Sequence, residues 1–235
     1  MDINCDMGEG VGNEALLMPF IHSANIACGY HAGDDETIKY TIILCLQHHV
    51  NIGAHPSFLD RENFGRTNVH LPAKEIYTLI VDQLKLFGKI AAELNASIHH
   101  VKPHGALYNM AATDRVISKA IADAVKDYDA SLLLCGLSGS HLIIEAESVG
   151  LETMNEVFAD RTYQDDGTLT PRNKPNALLV NSNEVKKQLQ HFKKNKVITI
   201  NNKEITVKAD TVCIHGDGEH AVDFAKAVYQ QLNEA

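Results

Sequence analysis

Seven short apolar runs recur along the chain and alternate with longer segments of helical periodicity. Their lengths are typical of buried strands. In residue numbers, the runs lie at 2–5, 24–28, 51–54, 98–102, 131–135, 152–157 and 211–215. Segments 71–94, 114–128 and 219–232 carry apolar residues along one helical face. Strands that alternate with helices predict an α/β fold with a parallel sheet and right-handed crossovers, and seven units are enough to close it into a barrel.

One segment interrupts this alternation. Residues 158–210 contain no clear buried strand, but 197–200 and 204–207 alternate around Asn201, Asn202 and Lys203. Asparagine tolerates positive φ, so this pattern predicts a β-hairpin near 197–207. With 235 residues and 45% hydrophobic content, the chain suits one large domain, 1–235, with the hairpin as an excursion on the barrel.

Charge and composition exclude several classes of partner. The formal net charge of −9 disfavours nucleic acid, whose binding depends on neutralising phosphates. No apolar segment reaches the roughly 20 residues that a membrane span needs, and no signal-peptide pattern opens the chain, so we expect a cytoplasmic protein. The five cysteines lack any C-x-x-C spacing and are expected to be buried thiols without a catalytic role.

Polar side chains cluster where the predicted strands end. In a barrel of parallel strands the loops after the strand carboxyl ends converge on one face, which predicts a shared pocket. The five clusters are Asn4-Cys5-Asp6, His31, His55-Pro56, Lys102-Pro103-His104 and His215-Gly216-Asp217. Further candidates nearby in sequence are Glu9, Tyr108, Glu156, Asp160 and Arg161.

The candidate residues support two kinds of chemistry. Imidazoles and carboxylates together suit a divalent metal with an activated water, for which Asp6, His31, His55 and His215 are the predicted ligands. They suit metal-free general acid–base catalysis equally well. Lys102 is either a base with a depressed pKa or a charged stabiliser of an oxyanion. The chain contains no H-E-x-x-H, G-x-S-x-G or G-x-x-x-x-G-K-[ST] motif.

Seven ordered blocks resemble the LamB/YcsF family, that of the prokaryotic 5-oxoprolinase A subunits. The blocks are DINCDMGEG (2–10), ANIACGYHAGD (24–34), IGAHPS (52–57), FGR (64–66), VKPHGALYN (101–109), EVFADR (156–161) and HGD (215–217). The resemblance implies a seven-stranded (β/α) barrel of the glycoside hydrolase/deacetylase type. It also implies ATP-dependent opening of 5-oxo-L-proline to L-glutamate, performed together with separate B and C subunits. Asn176 and Thr67 depart from the family pattern.

The resemblance implies a role for each of the candidate residues. Residues expected to be catalytic are Asp6, His55, Lys102, His104 and Glu156. Residues expected to bind substrate are Asn4, Glu9, His31, Arg66, Tyr108, Asp160, Arg161 and Asp217. ATP would be a co-substrate held mainly by the partner subunits, because the phosphate loop is missing. Two alternatives stay open: a metal-dependent hydrolase resembling carbohydrate deacetylases, and a non-catalytic chain that presents substrate to its partners.

Overall fold

The computed structural model describes residues 1–179, 181–214, 216 and 221–233. Within these ranges the strands are β1 Asp2–Met7, β2 Ser23–Ala27, β3 Asn51–His55, β4 His100–Val101, β5 Leu133–Leu137, β6 Thr153–Phe158, β7 Lys196–Ile198, β8 Glu204–Thr206 and β9 Thr211–Ile214. The helices are α1 Glu14–Leu17, α2 Asp35–His48, α3 Ala73–Glu93, α4 Gly105–Thr113, α5 Arg115–Tyr128, α6 His141–Ser148, α7 Ser182–Phe192 and α8 Ala221–Asn233, with a 3₁₀ turn at Met18–Phe20.

Seven parallel strands close into a barrel in the order β1-β2-β3-β4-β5-β6-β9. Strand β9 closes it, because Thr211 pairs with Asp2 of β1 on one side and with Glu156 of β6 on the other. The predicted seven-stranded (β/α) barrel is therefore confirmed. Strand β4 is shorter than the predicted run 98–102, although the backbone N–H groups of His99 and Lys102 still donate to carbonyl oxygens of β3.

The predicted excursion is present between β6 and β9. It contains α7 and an antiparallel hairpin of β7 and β8, in which Val197 pairs with Ile205. Strand β7 ends at Ile198, earlier than predicted. Thr199 already belongs to the turn, because its carbonyl accepts from the N–H of Asn202, whose φ is +59°. The buried Tyr163 hydroxyl accepts a hydrogen bond from the backbone N–H of Phe158, which ties the excursion to the end of β6.

Side chains and turns at the helix starts fix where several helices begin. The side chain of Asp34 accepts from the N–H of Thr37 and caps α2. Asp114 caps α5, so that helix begins at Arg115. Pro72 occupies the cap position of α3 and not its first turn. Across the described part of the chain, no helix has the length and apolar character needed to span a membrane.

The two faces of the barrel strands differ in polarity. Outward-facing residues such as Ile3, Ile26 and Val101 are fully buried in the apolar core under the helices. Inward-facing residues such as Asn25 and His100 are equally buried, but they hydrogen-bond to one another inside the barrel. All five cysteines are free and buried, as expected. The polar interior lies directly beneath the carboxyl ends of the strands, where it supports the site described below.

Gly53 makes room for the His100 ring inside the barrel. A Cβ atom at position 53 would overlap the His100 imidazole at Nε2 and at both neighbouring ring carbons. We expect Gly53→Ala to lower the free energy of unfolding by about 2 to 3 kcal/mol, because the imidazole must leave its packed position. Urea denaturation of the purified chain measures this loss.

Gly136→Ala on β5 is the matched control for this substitution. Its Cβ would meet the flexible end of Leu142 at 3.0 Å, so the change should cost less than about 1 kcal/mol. Equal losses in the two variants would contradict the prediction.

Candidate active site

A cavity of about 800 Å³ opens at the carboxyl ends of the barrel strands. Its floor is formed by polar residues from the ends of three strands and the loops after them: Asp6, Glu9, His55, Lys102 and His104. Its walls combine apolar side chains with three arginines: Leu137, Phe158, Leu169, Arg66, Arg161 and Arg172. The convergence of these residues agrees with the pocket predicted from the strand ends.

Three imidazoles and one carboxylate form a compact cluster at this floor. One ligand atom from each of Glu9, His31, His55 and His104 lies within 4.8 Å of the others. The rings of His31 and His104 stack in parallel, with 3.8 Å between their centroids, and the His55 ring stands perpendicular to both. All three histidines are buried.

Hydrogen bonds to backbone carbonyls fix the tautomers of two of these histidines. His55 Nδ1 lies 2.7 Å from the carbonyl oxygen of Lys102, and His104 Nε2 lies 2.9 Å from that of Phe64. A carbonyl only accepts, so both nitrogens must carry the proton. The opposite nitrogens, His55 Nε2 and His104 Nδ1, therefore present lone pairs to each other across 2.9 Å. Such a contact is stable only with a proton or another cation between them.

The third imidazole is oriented by a serine. The Ser57 hydroxyl donates to the carbonyl of Phe58, so its oxygen accepts from His31 Nδ1 at 2.8 Å. The lone pair of His31 Nε2 then faces Glu9 Oε1 at 3.1 Å. Gln83 holds Ser57 in place with hydrogen bonds to both its backbone N–H and its carbonyl.

Electrostatics keep two of the clustered imidazoles neutral. Burial, together with the neighbouring His55, lowers the pKa of His31 to about 2. Burial and the two other imidazoles hold the pKa of His104 well below its usual value. Neutral imidazoles keep their lone pairs available, which is the state that accepts a proton or ligates a metal.

A buried lysine lies beside the histidine cluster. Lys102 Nζ donates to Asp6 Oδ1 at 2.8 Å and lies 2.8 Å from Glu156 Oε1. Burial alone lowers the pKa of Lys102, but the adjacent charge of Asp6, with that of Glu156, reverses this and holds the pKa well above its usual value. Of the two roles open from sequence, the structure therefore favours the charged one.

The Asp6 carboxylate connects the lysine to the histidines. Its Oδ1 accepts from Lys102 and also from Asn25 Nδ2 at 2.8 Å. Its Oδ2 lies 3.4 Å from His55 Nε2. One oxygen is thus held by two donors, and the other faces the cluster.

Arginines line the upper wall of the cavity. The guanidinium of Arg161 donates to the carbonyl of Thr170, and burial together with nearby Arg172 lowers its pKa to about 10, so it stays charged at neutral pH. Arg66 lies over the ring of Phe64, with its Cζ 4.9 Å from the centroid. In a chain with a net charge of −9, this local concentration of cations favours a small anionic ligand.

The structure brings most of the predicted site residues to one place. The cluster and floor contain Asp6, Glu9, His31, His55, Lys102 and His104, while Arg66, Tyr108 and Arg161 line the cavity above them. Asn4 and Glu156 lie beneath the floor and reach it through Lys102. Asp160 is not among the residues lining the described cavity. His215 and Asp217 lie outside the described residues.

The composition of the candidate metal cluster differs from the predicted set of Asp6, His31, His55 and His215. Glu9 and His104 join His31 and His55 in the compact group, whereas Asp6 is engaged by Lys102. Among the described residues, this is the group of histidine, cysteine and acidic side chains close enough to share one ion.

Several supporting residues were not predicted. Asn25 and His100 orient the floor from inside the barrel, and Ser57 and Gln83 orient His31. Sequence signals could have identified two of them, His100 and Gln83. His100 shares the inward face of β4 with Lys102, and Gln83 interrupts the apolar stripe of α3 between Ile80 and Phe87.

Comparisons with known proteins agree with this architecture. The chain is 48% identical over 238 residues to the A subunit of 5-oxoprolinase from Staphylococcus aureus strain bovine RF122, covering 99% of this chain and 95% of that relative. The crystal structure of the lactam utilization protein from Thermus thermophilus superposes with a TM-score of 0.92 at 36% identity, covering 100% of this chain and 96% of that one.

A more distant structure shares only the fold. The family 4 carbohydrate esterase of Streptomyces lividans superposes with a TM-score of 0.51 at 8% identity, covering 99% of this chain and 86% of that one. This likeness shows the barrel fold and nothing further. The LamB/YcsF family model matches residues 1–235. Because that match spans the whole chain and similar relatives match over nearly their full length, the chain belongs to the LamB/YcsF family.

Proposed function

We propose that this chain is the lactam-opening component of an ATP-dependent 5-oxoprolinase. It hydrolyses 5-oxo-L-proline, or an activated form of it, to L-glutamate together with B and C subunits. The observation that carries the proposal is the convergence of three imidazoles on the Glu9 carboxylate, with one of them, His55, also 3.4 Å from Asp6, which a charged lysine holds at the cavity floor. The names of the similar proteins, an A subunit of 5-oxoprolinase and a lactam utilization protein, support this substrate class.

The cavity suits a small anion with an apolar ring. Leu137, Phe158 and Leu169 offer apolar contacts for the methylene groups of a five-membered lactam. Arg66 or Arg161 can bind the substrate carboxylate, for which guanidinium is the matching donor. A volume of about 800 Å³ exceeds the needs of such a small molecule, so the cavity also has room for an activating group.

The geometry supports general base hydrolysis. A water placed between the histidine cluster and Asp6 Oδ2 gives its proton to that oxygen or to His55 Nε2 as its oxygen attacks the lactam carbonyl carbon. The C–N bond then breaks, and the same proton passes to the leaving nitrogen. Lys102 keeps its charge throughout and holds Asp6 in place.

The clustered residues also fit a divalent metal. Three imidazole lone pairs and a carboxylate converge on one point, and the imidazoles have their other nitrogens bound to carbonyls or a hydroxyl, as metal-ligating histidines usually do. Glu9, His31, His55 and His104 would hold the ion. When bound, such an ion would polarise the carbonyl and lower the pKa of water.

The nucleotide step is assigned to the partner subunits. An unstrained amide is a poor electrophile, so coupling its opening to ATP is chemically reasonable. The chain lacks G-x-x-x-x-G-K-[ST], the loop that commonly cradles triphosphates. The name of its relatives, which designates them as one subunit of 5-oxoprolinase, supports an assembly in which other chains supply that step.

Replacing a clustered histidine should abolish turnover. We expect His55→Ala or His104→Ala to lower kcat for ATP-dependent release of glutamate from 5-oxo-L-proline by about a hundredfold or more, because each removes a proton acceptor from the floor. The assay uses this chain reconstituted with its B and C subunits. His70→Ala, which changes an exposed histidine of the loop before α3, is the control and should retain full activity.

The same variants separate the catalytic role from a substrate-presenting one. Wild-type turnover by folded His55→Ala and His104→Ala enzymes, in intact assemblies, would show that this chain presents substrate and that its partners open the ring. Glutamate release that does not require this chain at all would reject the proposed function.

Metal content provides a second test that does not depend on activity. We expect the isolated chain to bind about one divalent transition-metal ion, because its clustered imidazoles are preoriented as ligands. Elemental analysis after dialysis against a zinc buffer measures the stoichiometry. His31→Ala and His55→Ala should each lose most of this metal, and His70→Ala should keep it. Wild-type metal content no higher than that of His55→Ala would contradict a metal at this cluster.

A further inference from the structure

The buried side-chain amide of Asn25 contacts the carboxylate of Asp6, and the proposed reaction gives this amide no role. Asn25 lies on β2 and is fully buried. Its Nδ2 donates to Asp6 Oδ1 and to Asn4 Oδ1, each at 2.8 Å. Its Oδ1 lies 2.7 Å from His100 Nε2. Both N–H groups of the Asn25 amide therefore donate to side chains at the cavity floor, and its oxygen accepts a third hydrogen bond from His100.

The orientation of this amide follows from a chain of hydrogen bonds that begins at the amino end of the barrel. The Asp2 carboxylate accepts from the hydroxyls of Ser23 and Thr211. The Thr211 oxygen consequently accepts from Asn4 Nδ2, which turns Asn4 Oδ1 toward Asn25 and Lys102. An oxygen at that position can only accept, so the group of Asn25 that faces it must be the NH₂.

His100 holds the amide from the other side. Because Asn25 Oδ1 accepts, His100 Nε2 must carry a proton. Burial lowers the pKa of His100 to about 3, so the ring is neutral and is a donor at this nitrogen only through its tautomer. The space for the ring exists because position 53 has no Cβ.

We propose that Asn25, oriented by His100, is a positioning residue for lactam hydrolysis. Together with Lys102 it saturates Asp6 Oδ1, which leaves Asp6 Oδ2 directed at His55 Nε2. Asn25 donates from β2 and Lys102 donates from the end of β4, so the two hydrogen bonds hold this oxygen from two different strands and resist rotation of the carboxylate. The inference rests on the proposed function, since it assigns Asn25 a role in that reaction.

Asn25→Asp is the sharpest substitution, because it conserves shape and replaces the donor by an acceptor. A carboxylate at position 25 would face the oxygens of Asp6 and Asn4 at about the present 2.8 Å and repel both. Asp6 should then rotate away. We expect kcat to fall by about 10- to 100-fold, the usual effect of removing a supporting hydrogen bond, with KM changed by less than about threefold.

Two controls distinguish positioning from general destabilisation. Asn155→Asp changes another buried strand asparagine, which contacts Asp210 and not the site, and should lower thermal stability without lowering kcat. His100→Leu removes the donor to Asn25 and should lower kcat, whereas His100→Gln keeps an N–H in reach and should restore it. If Asn25→Asp does not fold, the two His100 variants decide the question by themselves.

The experiments can reject the positioning role of Asn25 without rejecting the proposed function. Wild-type kcat in Asn25→Asp or in His100→Leu, while His55→Ala is inactive, would overturn the positioning role alone. Equal losses in Asn155→Asp and Asn25→Asp would also overturn it. A crystal structure of Asn25→Asp gives a readout without catalysis: a rotated Asp6 carboxylate supports the inference, and an unchanged one refutes it.

Discussion

The buried ammonium of Lys102 is the charge around which the barrel interior is organised. Removing a cation from water is costly unless opposite charges and hydrogen-bond acceptors replace the lost solvent. Asp6 and Glu156 supply the charge, and Asn4 Oδ1 supplies a further acceptor at 3.3 Å. These acceptors need donors of their own, which explains why amides, hydroxyls and a histidine fill the inside of the barrel where aliphatic side chains would otherwise pack.

This arrangement separates two electrostatic environments within a few ångströms. Around Lys102, opposite charges hold the ammonium in its charged form. Around His31 and His104, burial and the neighbouring imidazoles keep the rings neutral. Asp6 belongs to both environments, because each of its oxygens faces one of them. A base that is fixed by a permanent cation on one side can exchange protons with neutral acceptors on the other.

The sequence predicted the barrel well because seven apolar runs and their intervening helices are local signals. It also predicted that His55, Lys102 and His104 share a pocket, since parallel strands place their carboxyl ends together. It did not predict the pairing of Glu9 with the histidines, because the loop after β1 has no periodicity that fixes the direction of a side chain. Nor did it identify Asn25, whose importance depends on Asn4 and Thr211, residues distant in the chain that orient its amide.

The excursion between β6 and β9 completes the site in a way that only tertiary structure reveals. The Arg161 guanidinium donates to carbonyls of this segment, at Thr170 and Ala177, so the segment and the cavity wall are ordered by the same side chain. Tyr163 and Gln188 tie the segment to the end of β6, two residues beyond Glu156. Glu156, which is a counter-ion of Lys102, and Arg161, which lies at the upper wall, therefore belong to one continuous stretch of chain. A displacement of the excursion would move the cavity wall at Arg161, and it would reach the Lys102 centre through both flanking strands, β6 and β9, because Cys213 Sγ of β9 lies 3.2 Å from Lys102 Nζ.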